Sequence, residues 1–223
     1  MVNRTYGQYC GLARALEIIG ERWALLIVRD LLVGPRRFSD LRRGLPRIPS
    51  NILTARLKEM EQAGVVERRV LPRPAGSVVY ELTGHGRGLE DVVLALGRWG
   101  APCLGEARAD EIVTQDSLVM ALRTTFQANA AKGVHLGYEL RFGAMVLHAR
   151  VADGTLAVGA GPLPAPDLVI TTGPALRALL AGELTPADGL ADGSVQISGD
   201  PALLTRFTEL FKISPAGAGW NNS

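Results

Sequence analysis

The chain has 223 residues, with 24 lysines and arginines against 22 aspartates and glutamates, and a formal net charge of +2. Its 47 % hydrophobic and 21 % charged residues exclude a disordered tail or a collagen-like repeat, and its length accommodates one large domain or two modest ones. The near-neutral total hides an asymmetry: residues 1–108 carry 17 basic and 11 acidic side chains, a net of +6, whereas residues 109–223 carry 7 and 11, a net of −4.

Residues 12–19 place Leu12, Ala15, Leu16 and Ile19 at helical spacing, with Gly20 as a stop. A second helix is predicted over 21–32, with Trp23, Leu26, Ile27 and Leu31 on one face and Gly34-Pro35 ending it. Arg36-Arg37-Phe38 reads as extended, and Ser39 offers an N-cap to a short helix over 40–44. Ser50 caps the next helix, 51–62, where Leu53, Leu57 and Met60 fall within about 60° of one another at 100° per residue. Its other side carries Asn51, Thr54, Ala55 and Lys58, short and polar or basic. That face suits a DNA major groove, where Asn reads an adenine edge and Thr meets a methyl or a phosphate. Periodicity alone favours an exposed amphipathic helix, as most such helices are. Two β-rich runs, 65–71 and 77–82, flank the turn Pro72-Arg73-Pro74-Ala75-Gly76 and form a hairpin with Arg68, Arg69 and Arg73 near its tip. Short helix, polar-faced helix and basic hairpin in succession describe a winged helix-turn-helix, mainly α with a β-hairpin wing. A long amphipathic helix from near Gly86 to Trp99, with Leu89, Val92, Val93 and Leu96 apolar, exceeds what such a unit needs and points to a dimer contact.

Cys10, the runs ALEIIGERW (15–23), LLVGPRRFSDL (31–41) and SNILTARLKEM (50–60), then YELT (80–83) and WG (99–100), resemble the HxlR-type family of bacterial transcriptional regulators. The resemblance covers about residues 8–103. It implies a homodimer, held by the first and last helices of the domain, on double-stranded DNA of inverted symmetry. Asn51, Thr54, Ala55 and Lys58 would then face base edges, while Arg36, Arg37, Ser39, Arg42, Ser50, Arg56, Arg68, Arg69 and Arg73 would supply phosphate and minor-groove contacts.

Residues 104–115 read as a linker and 214–223 as a tail. Between them, a helix over 117–131 with Leu118, Leu122, Thr125 and Phe126 on one side precedes strands at 134–142, 144–151 and 156–160, the last two joined through Asp153-Gly154. A strand at 168–171, a helix from Gly173-Pro174 to Ala181, a strand at 195–198 and a helix capped by Asp200 through Phe211 complete an α+β layer with an antiparallel sheet. LVIT (168–171), LLAGELTPA (179–187) and GSVQISGDP (193–201) resemble the sterol-carrier-protein-2-like domain over about residues 116–213. That resemblance implies an apolar tunnel for a small hydrophobic ligand. Val134, Leu136, Met145, Leu147, Leu156, Leu203, Phe207 and Phe211 either line such a cavity or fill an ordinary core.

His85, His135 and His148 are scattered, and neither cysteine belongs to a C-x-x-C pair, so no metal site or cofactor is expected. Gly84-His85-Gly86-Arg87-Gly88 lacks the spacing of a dinucleotide fingerprint, and no nucleophile-base order stands out, so an enzyme is not expected. Two cysteines fit a reducing compartment, the opening MVNRTYGQYC lacks an apolar signal region, and no apolar run reaches the ~18 residues of a membrane span. A cytoplasmic protein without membrane contact is therefore expected. Cys10, just before the first helix and near Arg14, reads either as a redox- or electrophile-sensing thiol, as in several HxlR-type regulators, or as a small buried residue. The leading expectation is a DNA-binding regulator modulated by an apolar effector. A thiol-switched regulator and a lipid- or acyl-binding carrier are the alternatives.

Overall fold

A computed structural model describes residues 5–72, 76–108 and 110–214, and the chain divides into two units, Met1–Val93 and Leu94–Ser223. In the first unit, α1 (Gly11–Ile19) buries Ala13 and, of the stripe its spacing predicts, Ile19, with Ala15 half-buried, but leaves Leu12 and Leu16 exposed. Helix α2 (Ala24–Val33) begins three residues later than expected. Trp23 adopts a left-handed φ of 83°, which no continuous helix contains, and the Arg22 guanidinium lies 5.0 Å from its ring centroid. The buried face of α2 is Ala24, Ile27, Val28, Leu31 and Leu32, whereas Leu26 turns outward. Asp30 is also buried there, ion-paired with Arg29 at 2.7 Å.

Helix α3 (Phe38–Gly44) takes Arg37, not Ser39, as its N-cap: the Arg37 N–H donates to the Asp40 carboxylate at 3.1 Å, and Ser39 falls in the first turn. Helix α4 (Ser50–Gln62) starts behind Pro49, one residue earlier than expected, and buries Leu53, Leu57 and Met60 as their spacing predicts. Strands β1 (Val66–Val70) and β2 (Val78–Leu82) form the antiparallel hairpin in the register Val66↔Leu82 to Val70↔Val78. The backbone of Arg36 pairs with Tyr80 in both directions, at 3.0 and 2.8 Å, so the segment between α2 and α3 joins the hairpin's edge. The single long helix expected after Thr83 is two: α5 (Gly84–Arg87), capped by the Thr83 hydroxyl, and α6 (Glu90–Gly100), within which the division between the units falls. Three glycines in five residues weaken helical continuity there. Thr83 also donates to the Gly64 carbonyl at 2.6 Å, closing the base of the hairpin.

In the second unit a short 3-10 turn (Ala101–Cys103) precedes α7 (Gln115–Thr125), which Thr114 caps by accepting from the Ser117 N–H at 3.1 Å. The expected continuation to Ala131 fails because Phe126 turns extended and bridges to Phe211. Strands β3 (His135–Phe142), β4 (Met145–Ala152) and β5 (Thr155–Ala160) form a meander. Its second turn has positive φ at Asp153 (43°) and Gly154 (78°), as a two-residue hairpin requires. Then come β6 (Leu168–Thr172), α8 (Ala175–Ala181), α9 (Pro186–Ala191), β7 (Val195–Gly199) and α10 (Pro201–Leu210).

The sheet order is β5-β4-β3-β6-β7, and β6 runs parallel to β3, so the sheet is mixed and not antiparallel throughout. The parallel pair arises because residues 161–167 cross the outer face as a strap before β6 begins beside β3. Asp167 anchors the strap's end by accepting from the Gly137 N–H at 2.6 Å. Leu163 sits over Gly137, and its N–H donates to the Glu139 carboxylate at 3.0 Å. Burial opposes ionisation of Glu139, but Arg141 at 2.7 Å and the Leu163 N–H hold its carboxyl below the usual range. On the other face, α7 packs on β4 and β5 and α10 on β6 and β7. Tyr138, Phe207 and Phe211 stack at the centre, with centroids 5.2 Å apart for Tyr138 and Phe207 and 4.7 Å for the two phenylalanines.

Candidate nucleic-acid interface

The interface is built around α4. Burying Leu53, Leu57 and Met60 turns the opposite side of the helix outward, and Asn51, Thr54 and Lys58 are exposed on it with Ala55 half-buried beside them. The Thr54 hydroxyl donates to the Ser50 carbonyl at 2.9 Å, which restrains its rotamer on the exposed face. Ser50 is exposed at the helix's first turn, where unsatisfied backbone N–H groups favour an anion.

The surrounding arginines differ in their freedom. Arg37, Ser39 and Arg42 are exposed on and before α3, and Arg68 is exposed on β1. Arg36 is half-buried, held by its backbone pairing to Tyr80, with its Nη1 donating to the Pro35 carbonyl at 3.0 Å. Arg69 is ion-paired with Glu81 across the hairpin at 2.9 Å. Arg56 has only 13 % of its side chain exposed, and its Nη1 lies 2.6 Å from Glu59 and 3.7 Å from Glu21. Arg73 lies outside the described residues. Sequence reasoning left out Arg43, exposed in the last turn of α3, and Arg47, exposed between α3 and the start of α4. Their place before the polar-faced helix is the signal that would have found them.

A short helix, a tight connection, a helix with an outward polar face and a hairpin directly after it together define a winged helix-turn-helix unit. The HxlR-like helix-turn-helix family model matches residues 18–108. The uncharacterised transcriptional regulator YvaP of Bacillus subtilis strain 168 is 38 % identical over 86 residues, covering 39 % of this chain and 80 % of the relative. The transcriptional regulator YodB of the same strain is 40 % identical over 85 residues, 38 % of this chain and 76 % of the relative. Among solved structures, the redox regulator HypR in its oxidised form is 36 % identical, covering 41 % of this chain and 94 % of that one, with a TM-score of 0.39. The chain belongs to the HxlR-like helix-turn-helix family of transcriptional regulators.

The residues expected to line a ligand cavity differ in burial. Phe207 and Phe211 are fully buried and Leu147 nearly so, filling the core against Tyr138. Val134, Leu136, Met145, Leu156 and Leu203 are half-buried. A groove of about 420 Å³ in this unit is lined by residues including Leu179, Leu180, Leu184, Thr185, Glu209 and Lys212, between the ends of α8 and α10.

Cys10 is exposed at the N-cap of α1, and the first-turn N–H groups of Ala13 and then Leu12 hold its thiol below the usual range. Arg14 pairs with Glu17 at 2.8 Å. Cys103 is half-buried. Among the described residues, no group of three or more His, Cys, Asp or Glu is placed to hold a metal ion, and no helix is long and apolar enough to cross a membrane.

Proposed function

We propose that the chain is a homodimeric transcriptional regulator that lays α4 in the major groove of an inverted-repeat operator. The observation that carries this reading is the division of α4 into a buried Leu53/Leu57/Met60 stripe and an exposed Asn51/Thr54/Lys58 face directly before the basic hairpin. Asn51, Thr54, Ala55 and Lys58 face base edges, with Arg36, Arg37, Ser39, Arg42, Ser50, Arg68, Arg69 and Arg73 on the backbone or in the minor groove. The exposed Leu12 and Leu16 of α1 and Val92, Leu96 and Trp99 of α6 support a second copy as the partner. On this reading, residues 1–103 bind DNA and dimerise, 104–115 link, 116–213 form a sterol-carrier-protein-2-like domain and 214–223 are a tail. A small apolar effector in that second domain shifts operator affinity.

Two substitutions test the DNA contacts on a duplex selected by the wild-type protein from a randomised pool. Lys58→Ala should cost about 1–3 kcal/mol and relax sequence preference at one position. Arg69→Ala should weaken all sequences alike and reduce the salt slope by about one. Unchanged affinity and slope in both would overturn the assignment.

A second reading, in which the thiol of Cys10 senses oxidants or electrophiles, is favoured by its exposure at the N-cap of α1. Peroxide should lower operator affinity of the wild type and leave Cys10→Ser unaffected. An equal response in both would remove Cys10 from the mechanism.

A further inference from the structure

Arg56 lies on the reading helix between Ala55 and Lys58, where charge and position alone make it a phosphate contact. Its surroundings point elsewhere. The side chain is 13 % exposed, its guanidinium is 2.6 Å from Glu59 one turn along α4, and it is 3.7 Å from Glu21. Glu21 belongs to the turn between α1 and α2, thirty-five positions away in sequence and two residues before the left-handed Trp23. A bulky aromatic in that conformation persists only where its neighbours over-determine it, so this turn is a defined anchor.

The apolar stripe of α4 is non-directional: Leu53, Leu57 and Met60 fix how deeply the helix sits but weakly fix its rotation about its own axis. The Arg56 guanidinium adds a charge contact at a defined place: its Nη1 is at hydrogen-bond distance of Glu59 and within ion-pair distance of Glu21. We propose that Arg56 is a positioning residue: anchored by Glu21, it sets the rotation of α4 and so which side chains meet the groove, without itself touching phosphate. This rests on the reading of α4 as the operator-binding helix. It also makes operator affinity depend on the α1–α2 turn, which carries no side chain of the proposed DNA contact set.

The two roles give opposite results in Glu21→Gln. A positioning pair loses its anchor, so affinity should fall about fivefold, the scale of a partly buried ion pair. A phosphate-contacting Arg56 would instead be freed from a competing carboxylate, and affinity would rise. Arg56→Gln should weaken binding to a similar extent with the salt slope unchanged, whereas loss of a phosphate contact would lower the slope by about one. Combining the two substitutions should be no worse than Arg56→Gln alone, because that substitution already removes the contact with Glu21. Arg56→Lys keeps the charge but replaces the guanidinium with a single ammonium on a shorter reach; it should behave like Arg56→Gln, and near-wild-type affinity would overturn the proposal. Binding is measured by fluorescence anisotropy on the duplex selected by the wild type, with each variant's melting transition recorded alongside. Because Glu21→Gln and Arg56→Lys are near-isosteric, they answer the question even where Arg56→Gln fails to fold. A wild-type protein that selects no duplex defeats the reading of α4; a wild type that selects one while Glu21→Gln tightens binding defeats only the role of Arg56.

Discussion

Phe207→Ala should destabilise the second unit by about 3–5 kcal/mol, the range for emptying a buried phenylalanine site. Phe207 is fully buried, stacked edge-on to Tyr138 and against Phe211, and it ties α10 to the centre of the sheet. The cavity left behind would border the ring of Tyr138, whose hydroxyl is buried without a hydrogen-bond partner among the described residues and whose ionisation burial strongly opposes. A polar atom beside an empty apolar space invites water, and water entry loosens what remains of the core. Each unit has a core of its own, so the loss should be confined to one of two transitions. Urea unfolding followed by circular dichroism reads this directly: one transition moves to lower urea and the other stays. Movement of both together would show that the cores are not independent.

Gly86→Ala should destabilise the first unit by about 1–3 kcal/mol through overpacking, and weaken operator binding with it. A Cβ at this position would stand 2.1 Å from the Val65 carbonyl oxygen and 3.0 Å from its carbon. Both are main-chain atoms and cannot swing aside. The Val65 carbonyl also accepts the Thr83 N–H at 3.1 Å, while the Val65 N–H donates to Met60 at the end of α4, at 2.9 Å. The clash therefore falls where the reading helix passes into the hairpin. Gly84→Ala is the matched control, since a Cβ there meets nothing within 4 Å and its φ is not positive. Thermal melts of the two variants should separate clearly. Equal melting temperatures would mean that the junction yields.

The parts legible from sequence were those whose structure is set by neighbours along the chain. The stripe of α4 follows from its period because one face of the helix is buried and the other is not. The β4–β5 hairpin follows from Asp153-Gly154, and the start of α10 from Asp200, whose carboxylate accepts the Ala202 N–H at 2.8 Å. Misread elements were decided by distant partners. Phe126 fits the period of α7, but it pairs with Phe211 instead and ends the helix. Leu12 and Leu16 have helical spacing without an inner neighbour. Helix α9 was missed, although Thr185-Pro186 carries its cap and first turn. In the interface, the exposed face of α4 could be read from residue type, whereas the engagement of Arg56 could not, because Glu21 reaches it only through the fold.

Gly137 is a small residue in the middle of a central strand, where a missing side chain ordinarily weakens a sheet. Here the gap is a seat: a Cβ at 137 would stand 2.7 Å from a methyl of Leu163, the residue that holds the strap across the outer face. The two positions thus form one unit of substitution. A side chain at 137 becomes admissible only when 163 shrinks, and a larger residue at 163 only while 137 stays bare. Variation at either site is constrained by a partner that lies on a different element and twenty-six positions away.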